Sequence, residues 1–124
     1  MLKKILIADD EPDILKIVTI RLSKMGYELT LAADGAQALD FARQSKPDLI
    51  FLDYRMPVLN GLEVCDQLKA DAALKQIPVV IMTASAAMVD DQALKKAKAD
   101  GFIKKPFEAA EIVGLIKKFS GESV

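Results

Sequence analysis

The chain has 124 residues, 52% of them hydrophobic, with a formal net charge of −1, one cysteine and no histidine. That length suits one domain with a single ordinary core, and the apolar content argues against disorder. The near-neutral charge disfavours nucleic-acid binding through a broad basic surface; the lone cysteine excludes an internal disulfide; and without histidine any metal is expected to be held by oxygen, not as a zinc site.

Along the chain, apolar runs alternate five times with amphipathic stretches. Met1-Leu2-Lys3-Lys4-Ile5 opens directly into a strand near 3–8 and is too short for a signal peptide. The first helix, near 11–25, places Ile14, Ile17, Val18, Leu22 and Met25 at spacings of three and four, which reads as a core stripe. Pro12 suits its first turn, and Gly26 a left-handed stop. A strand near 27–32, a helix near 35–45 and a strand near 48–53 follow, the last being Leu49-Ile50-Phe51-Leu52-Asp53.

The third helix, near 61–72, carries Cys65 between Leu62 and Leu68, so its thiol reads as a small buried or half-buried side chain. A strand near 78–83, a helix near 87–98, a strand near 101–104 and a helix near 108–119 complete the pattern. The last helix repeats the core spacing with Ile112, Leu115, Ile116 and Phe119. The late lysines, from Lys95 to Lys118, read as solvated helix faces. No apolar stretch approaches the roughly 20 residues of a bilayer span; the expected location is the cytoplasm, with no membrane association.

Strictly alternating strand–helix units predict an α/β fold: a five-stranded parallel sheet, order 2-1-3-4-5, flanked by five helices in a flavodoxin-like three-layer sandwich. Residues 1–120 are expected to form the domain and 121–124 a short tail. In that order the carboxyl ends of the first and third strands meet at the switch point where ligands bind. Asp9, Asp10 and Asp53 fall there, with Lys105 after the fifth strand and Thr83 closing the fourth. Asp9-Asp10-Glu11 taken alone reads equally well as acids at a helix N-terminus. Together with Asp53 and Lys105 the group reads as a site. Each carboxylate pair at about 4 Å costs on the order of 4 kcal/mol at an effective dielectric near 20, so a divalent cation is expected. Mg2+ suits best, with Mn2+ a plausible substitute. A carboxylate beside a metal and a lysine is a candidate nucleophile towards phosphorus, and the Thr83 hydroxyl can donate to a phosphoryl oxygen.

The segments Ile5-Leu6-Ile7-Ala8-Asp9-Asp10-Glu11, Asp53-Tyr54-Arg55-Met56-Pro57-Val58-Leu59-Asn60-Gly61, Val80-Ile81-Met82-Thr83-Ala84 and Phe102-Ile103-Lys104-Lys105-Pro106-Phe107 resemble the response-regulator receiver domain of two-component signalling. The resemblance covers essentially the whole chain. It implies a module without turnover on a separate substrate, in which Asp53 accepts a phosphoryl group from a phosphohistidine. Asp10 would be a direct metal ligand, Asp9 an assisting one, and the Arg55 backbone carbonyl would complete the protein ligands. Lys105 matches the family lysine, with Lys104 facing away and a cis bond at Lys105–Pro106. Thr83 and Phe102 would form the switch pair. Arg55 could lie over the phosphoryl group or extend into solvent. No other cofactor is implied.

The implied partners are a sensor histidine kinase or histidine phosphotransfer protein, and a downstream protein docking on the face of the fourth helix, fifth strand and fifth helix. A monomer or weak dimer is expected, with no direct nucleic-acid contact. The expected form is a stand-alone receiver that relays its signal through protein contact. The alternatives are a receiver excised from a larger regulator or hybrid kinase, and an aspartyl-phosphate-type phosphatase. Against the phosphatase, Arg55 stands where those enzymes carry a second aspartate. A flavodoxin-like nucleotide or flavin module would need a phosphate loop in place of Asp9-Asp10-Glu11.

Overall fold

The computed structural model describes residues 3–84 and 91–120. Its elements are β1 (Lys4–Ala8), α1 (Pro12–Ser23), β2 (Glu28–Ala32), α2 (Gly35–Ser45), β3 (Leu49–Asp53), α3 (Gly61–Ala70), β4 (Val79–Thr83), α4 (Asp91–Ala97), β5 (Gly101–Lys104) and α5 (Ala109–Ser120). The strands form one sheet in the order β2-β1-β3-β4-β5, every pairing parallel. This is the expected α/β architecture. The part of the fourth helix expected before Asp91, and the tail 121–124, lie outside the described residues.

Period-two alternation divides the core into two layers. Leu6, Ala8, Ile50, Leu52, Val79 and Ile81 face Ala38, Leu39 and Ala42 of α2 and Val64, Cys65 and Leu68 of α3. Ile5, Ile7, Leu49, Phe51, Val80 and Met82 face Val18 and Leu22 of α1 and Ile112 and Ile116 of α5. The central strands are buried on both faces, which is why they read as unbroken apolar runs.

The core stripe expected on α1 is narrower in the structure. Val18 and Leu22 are buried and Ile14 packs partly, but Ile17 is 58% exposed and Met25 41%. At about 100° per residue, Ile17 is turned about a quarter circle from Val18, away from the sheet face on which Val18 and Leu22 pack. The helix ends as expected, with Pro12 in the first turn and Gly26 at φ 87°.

Side chains cap the starts of α2 and α3. Asp34 accepts from the Gln37 amide at 2.8 Å. Asn60 forms a capping box with Glu63: its Oδ1 accepts from the Glu63 amide at 2.8 Å, while Glu63 Oε1 accepts from the Asn60 amide at 2.9 Å.

Candidate phosphoryl and metal site

The carboxyl edge of the sheet gathers its charged residues because the parallel ladder continues just past the strand ends. The Asp9 amide donates to Ala32 O at 3.0 Å, the Tyr54 amide to Met82 O at 2.7 Å and the Lys105 amide to Thr83 O at 2.7 Å. These bonds hold the residues after β1, β3 and β5 in register with their neighbours. Asp9, Asp53, Thr83 and Lys105 are all buried, while Asp10 and Glu11 face solvent. Asp10, Glu11, Asp53, Tyr54, Arg55, Thr83, Ala84 and Lys105 line one cleft.

Lys105 is the hub. Its Nζ lies 2.7 Å from Asp9 Oδ2, 3.1 Å from Glu11 Oε1 and 3.2 Å from Asp53 Oδ2. Asp9 uses its other oxygen to accept from the Glu11 amide at 2.9 Å. One carboxylate oxygen from each of Asp9, Asp10, Glu11 and Asp53 lies within 4.8 Å of the others. Four carboxylates thus cluster, and three of them share one ammonium.

Burial raises the Asp53 carboxyl, the charge of Asp9 raises it further, and Lys105 opposes both; the balance leaves its pKa at about 7. Burial of the Lys105 ammonium works to lower its pKa, but the hydrogen bond and charge of Asp9, with Asp53 and Glu11 behind them, outweigh that and raise it. A dication bound there would offset the remaining repulsion. The donor set is all oxygen and closely grouped, so it fits a hard ion such as Mg2+.

The loop from β3 to α3 sets the backbone around Asp53. Val58 has φ 74°, and the Leu59 amide donates to Pro57 O at 2.9 Å, a γ-turn of the strained positive-φ kind. The Gly61 amide donates to Tyr54 O at 2.9 Å. A Cβ at Gly61 would sit 2.5 Å from Asp53 O, so only glycine permits this approach.

The structure therefore brings Asp9, Asp10, Asp53, Thr83 and Lys105 together, with Arg55 on the rim. Lys104 is exposed, and the Lys105–Pro106 peptide is cis. Phe102 does not line the cleft; it is 47% exposed on β5, opposite Ile81. Cys65 is buried, donates to Ala97 O at 3.2 Å, and burial pushes its thiol up to about 11, away from reactive chemistry.

One residue of the cluster, Glu11, was not among the site residues read from the sequence. Its only signal there was adjacency to Asp9-Asp10, and an acid at that place serves a helix N-terminus equally well. Only the fold distinguishes the two uses. Among the described residues, no helix is long and apolar enough to cross a membrane.

Residues 5–117 match the response regulator receiver domain. The DNA-binding response regulator MtrA of Mycolicibacterium smegmatis is 36% identical over 117 residues, covering 94% of this chain and 50% of MtrA. This chain spans about half the length of the MtrA relatives it matches. The polar-differentiation response regulator DivK of Brucella anthropi is 33% identical over 123 residues, 99% of this chain and 100% of DivK. The receiver domain of the sensor histidine kinase PA1611 from Pseudomonas aeruginosa superposes with a TM-score of 0.88 at 30% identity, covering 98% of this chain and all of that one; its crystal structure has a magnesium ion coordinated in the active site cleft.

Proposed function

This chain belongs to the response regulator receiver domain family of two-component signalling, a family of signalling modules rather than turnover enzymes, and from that premise we propose that Asp53 is its phosphoacceptor. The observation that carries the proposal is the burial of Asp53 at the end of β3, ringed by three further carboxylates and ion-paired to Lys105. A carboxylate placed there for stability alone would be a liability; placed there as a nucleophile it is held in position with its charge partner already present.

In this reading Asp53 Oδ attacks the phosphorus of a phosphohistidine in line. The O–P bond forms as the N–P bond breaks, and the leaving imidazole nitrogen keeps the electron pair. Lys105 turns its ammonium to a phosphoryl oxygen, and the Thr83 hydroxyl donates to another. Asp10, Asp53 and the Arg55 carbonyl would hold Mg2+, with Asp9 assisting and Mn2+ able to substitute. When bound, the cation supplies positive charge against the oxygens of the transferring group. The phosphoryl donor is a sensor histidine kinase or a histidine phosphotransfer protein, in the cytoplasm.

The output follows from Thr83. Drawing its hydroxyl towards the phosphoryl group empties space beside β5, and Phe102, already half out of the protein, turns inward. That changes the α4-β5-α5 face on which a downstream protein docks. Shifting a two-state ratio from 99:1 to 1:99 takes about 5.5 kcal/mol of differential binding, and partner contact supplies part of it. Full-length alignment with DivK favours a stand-alone receiver. The match to half of MtrA and to the receiver of a sensor kinase favours the second reading, a module of a larger regulator.

The test is intact-mass analysis after incubation with acetyl phosphate, with and without Mg2+, on wild type and Asp53→Asn. A single metal-dependent phosphoryl adduct on wild type only is the expected result. An adduct that persists on Asp53→Asn moves the acceptor elsewhere.

A further inference from the structure

Glu11 occupies an unusual position for its side chain. It is the N-cap residue of α1, with extended backbone at φ −96° and ψ 107°, yet it makes no side-chain bond to the first turn. Ser, Asp or Asn at an N-cap would accept from a first-turn amide and stabilise the helix. Glu11 forgoes that and reaches the other way, to the Lys105 ammonium at 3.1 Å. Its side chain is 60% exposed while the other two partners of Lys105, Asp9 and Asp53, are buried. Lys105 thus has two deep anchors and one at the mouth of the cleft.

We infer that Glu11 is a positioning residue for Lys105: its carboxylate competes with the phosphoryl group for the ammonium and sets how readily Lys105 turns to a phosphoryl oxygen. The inference rests on the phosphoacceptor reading for its kinetic consequence, though not for the ion pair itself. Two effects of the same charge then oppose each other. As the fourth acid of the cluster, Glu11 draws a dication in. As a rival for Lys105, it slows transfer to Asp53 once the dication is bound.

The variants Glu11→Gln and Glu11→Asp separate the two effects, because the first removes the charge and the second keeps it on a side chain one methylene shorter. Four quantities are measured on the full chain: Mg2+ affinity by titration of amide NMR shifts, the side-chain ammonium signal of Lys105 by NMR, the rate of phosphoryl uptake from phosphoramidate at saturating Mg2+, and the melting temperature. Glu11→Gln should bind Mg2+ about three- to tenfold more weakly, as expected for one partly screened charge at this range, yet take up phosphate about three- to tenfold faster. Glu11→Asp should hold Mg2+ within about twofold of wild type and show the same gain in rate. The Lys105 signal should move in both. A purely structural role would instead lower affinity, rate and melting temperature together, and that outcome, or an unmoved Lys105 signal, overturns the inference. If wild type takes up no phosphate at all, the phosphoacceptor reading fails by itself, while the Lys105 signal and the Mg2+ affinity still decide for or against the Glu11 contact.

Discussion

The two ends of the sheet handle their charged side chains in opposite ways. At the amino end, Asp48 Oδ2 accepts from the Lys3 and Lys4 amides, both at 2.9 Å, tying β1 to the start of β3. Asp100 Oδ2 accepts from the Val79 amide and from Lys69 Nζ, both at 2.8 Å, and the same ammonium donates to Ile77 O at 2.8 Å and Lys75 O at 3.2 Å. Each carboxylate there is matched to donors from the backbone, so charge and structure agree. At the carboxyl end, four carboxylates cluster and three of them, Asp9, Glu11 and Asp53, share one lysine. The contrast appears in proton affinity: backbone amides of Lys4 and Lys3 hold the Asp48 carboxyl below its ordinary value, while burial and Asp9 push Asp53 up to about 7. Matched charge marks the end that ties the strands together, and crowded like charge marks the end that carries the proposed site.

The largest effect that would break this comparison comes from Lys69. Its side-chain nitrogen knits the end of α3 to the starts of β4 and β5, so Lys69→Met should cost about 2–3 kcal/mol, measured by urea unfolding, through carbonyls and a carboxylate left short of a donor. A loss below about 0.5 kcal/mol would mean that the clamp is replaceable by water.

Next comes Asp53→Asn, whose effect has the reverse sign. With a folded pKa near 7 and an unfolded value of about 3.9, Asp53 holds more protons folded than unfolded between those pH values. Stability therefore falls as pH rises through that window. Asp53→Asn lacks the penalty, so in EDTA at pH 8 it should be more stable than wild type by about 2 kcal/mol, with the difference vanishing near pH 4. Thermal melts across pH 4–8 check it, and a less stable variant at pH 8 would refute the account of the carboxyl end.

Asp48→Asn should show the smallest effect, a loss of about 1–1.5 kcal/mol at pH 7 from weakening two charge-assisted bonds to amides. Because the folded pKa of Asp48 is depressed, its contribution is present above the unfolded value of about 3.9 and is lost as pH falls through the folded value. Wild type and variant should therefore converge in acid, the mirror image of the Asp53 profile.

Much of the carboxyl end was legible in the sequence. A parallel sheet buried on both faces makes each central strand a solid apolar run, so the first charge after the run marks its end. Topology alone then brings Asp9, Asp10, Asp53 and Lys105 to one edge. The amino end was not legible, because Lys69 and Asp100 are 31 residues apart and Asp48 lies 44 from Lys4, with no pattern joining them. Ile17 was misjudged because spacing of three and four defines a stripe without fixing how wide a face the neighbours can cover, and Met25 because α1 ends at Ser23, before the stripe reaches it. Glu11 escaped because whether a residue caps a helix or enters a pocket depends on the direction its side chain takes.

The joint between β3 and α3 has a mechanical consequence. The backbone of Gly61 rests against that of Asp53 with no room for even a methyl group, and the capping box of Asn60 and Glu63 fastens the helix start behind it. Such a joint is stiff, like a wall at the back of the acceptor. On the phosphoacceptor reading, a displacement starting at the Asp53 carboxylate would meet backbone on the Gly61 side. It would pass instead towards Thr83 and Lys105, on the side of β4 and β5, with a glycine as the fixed point.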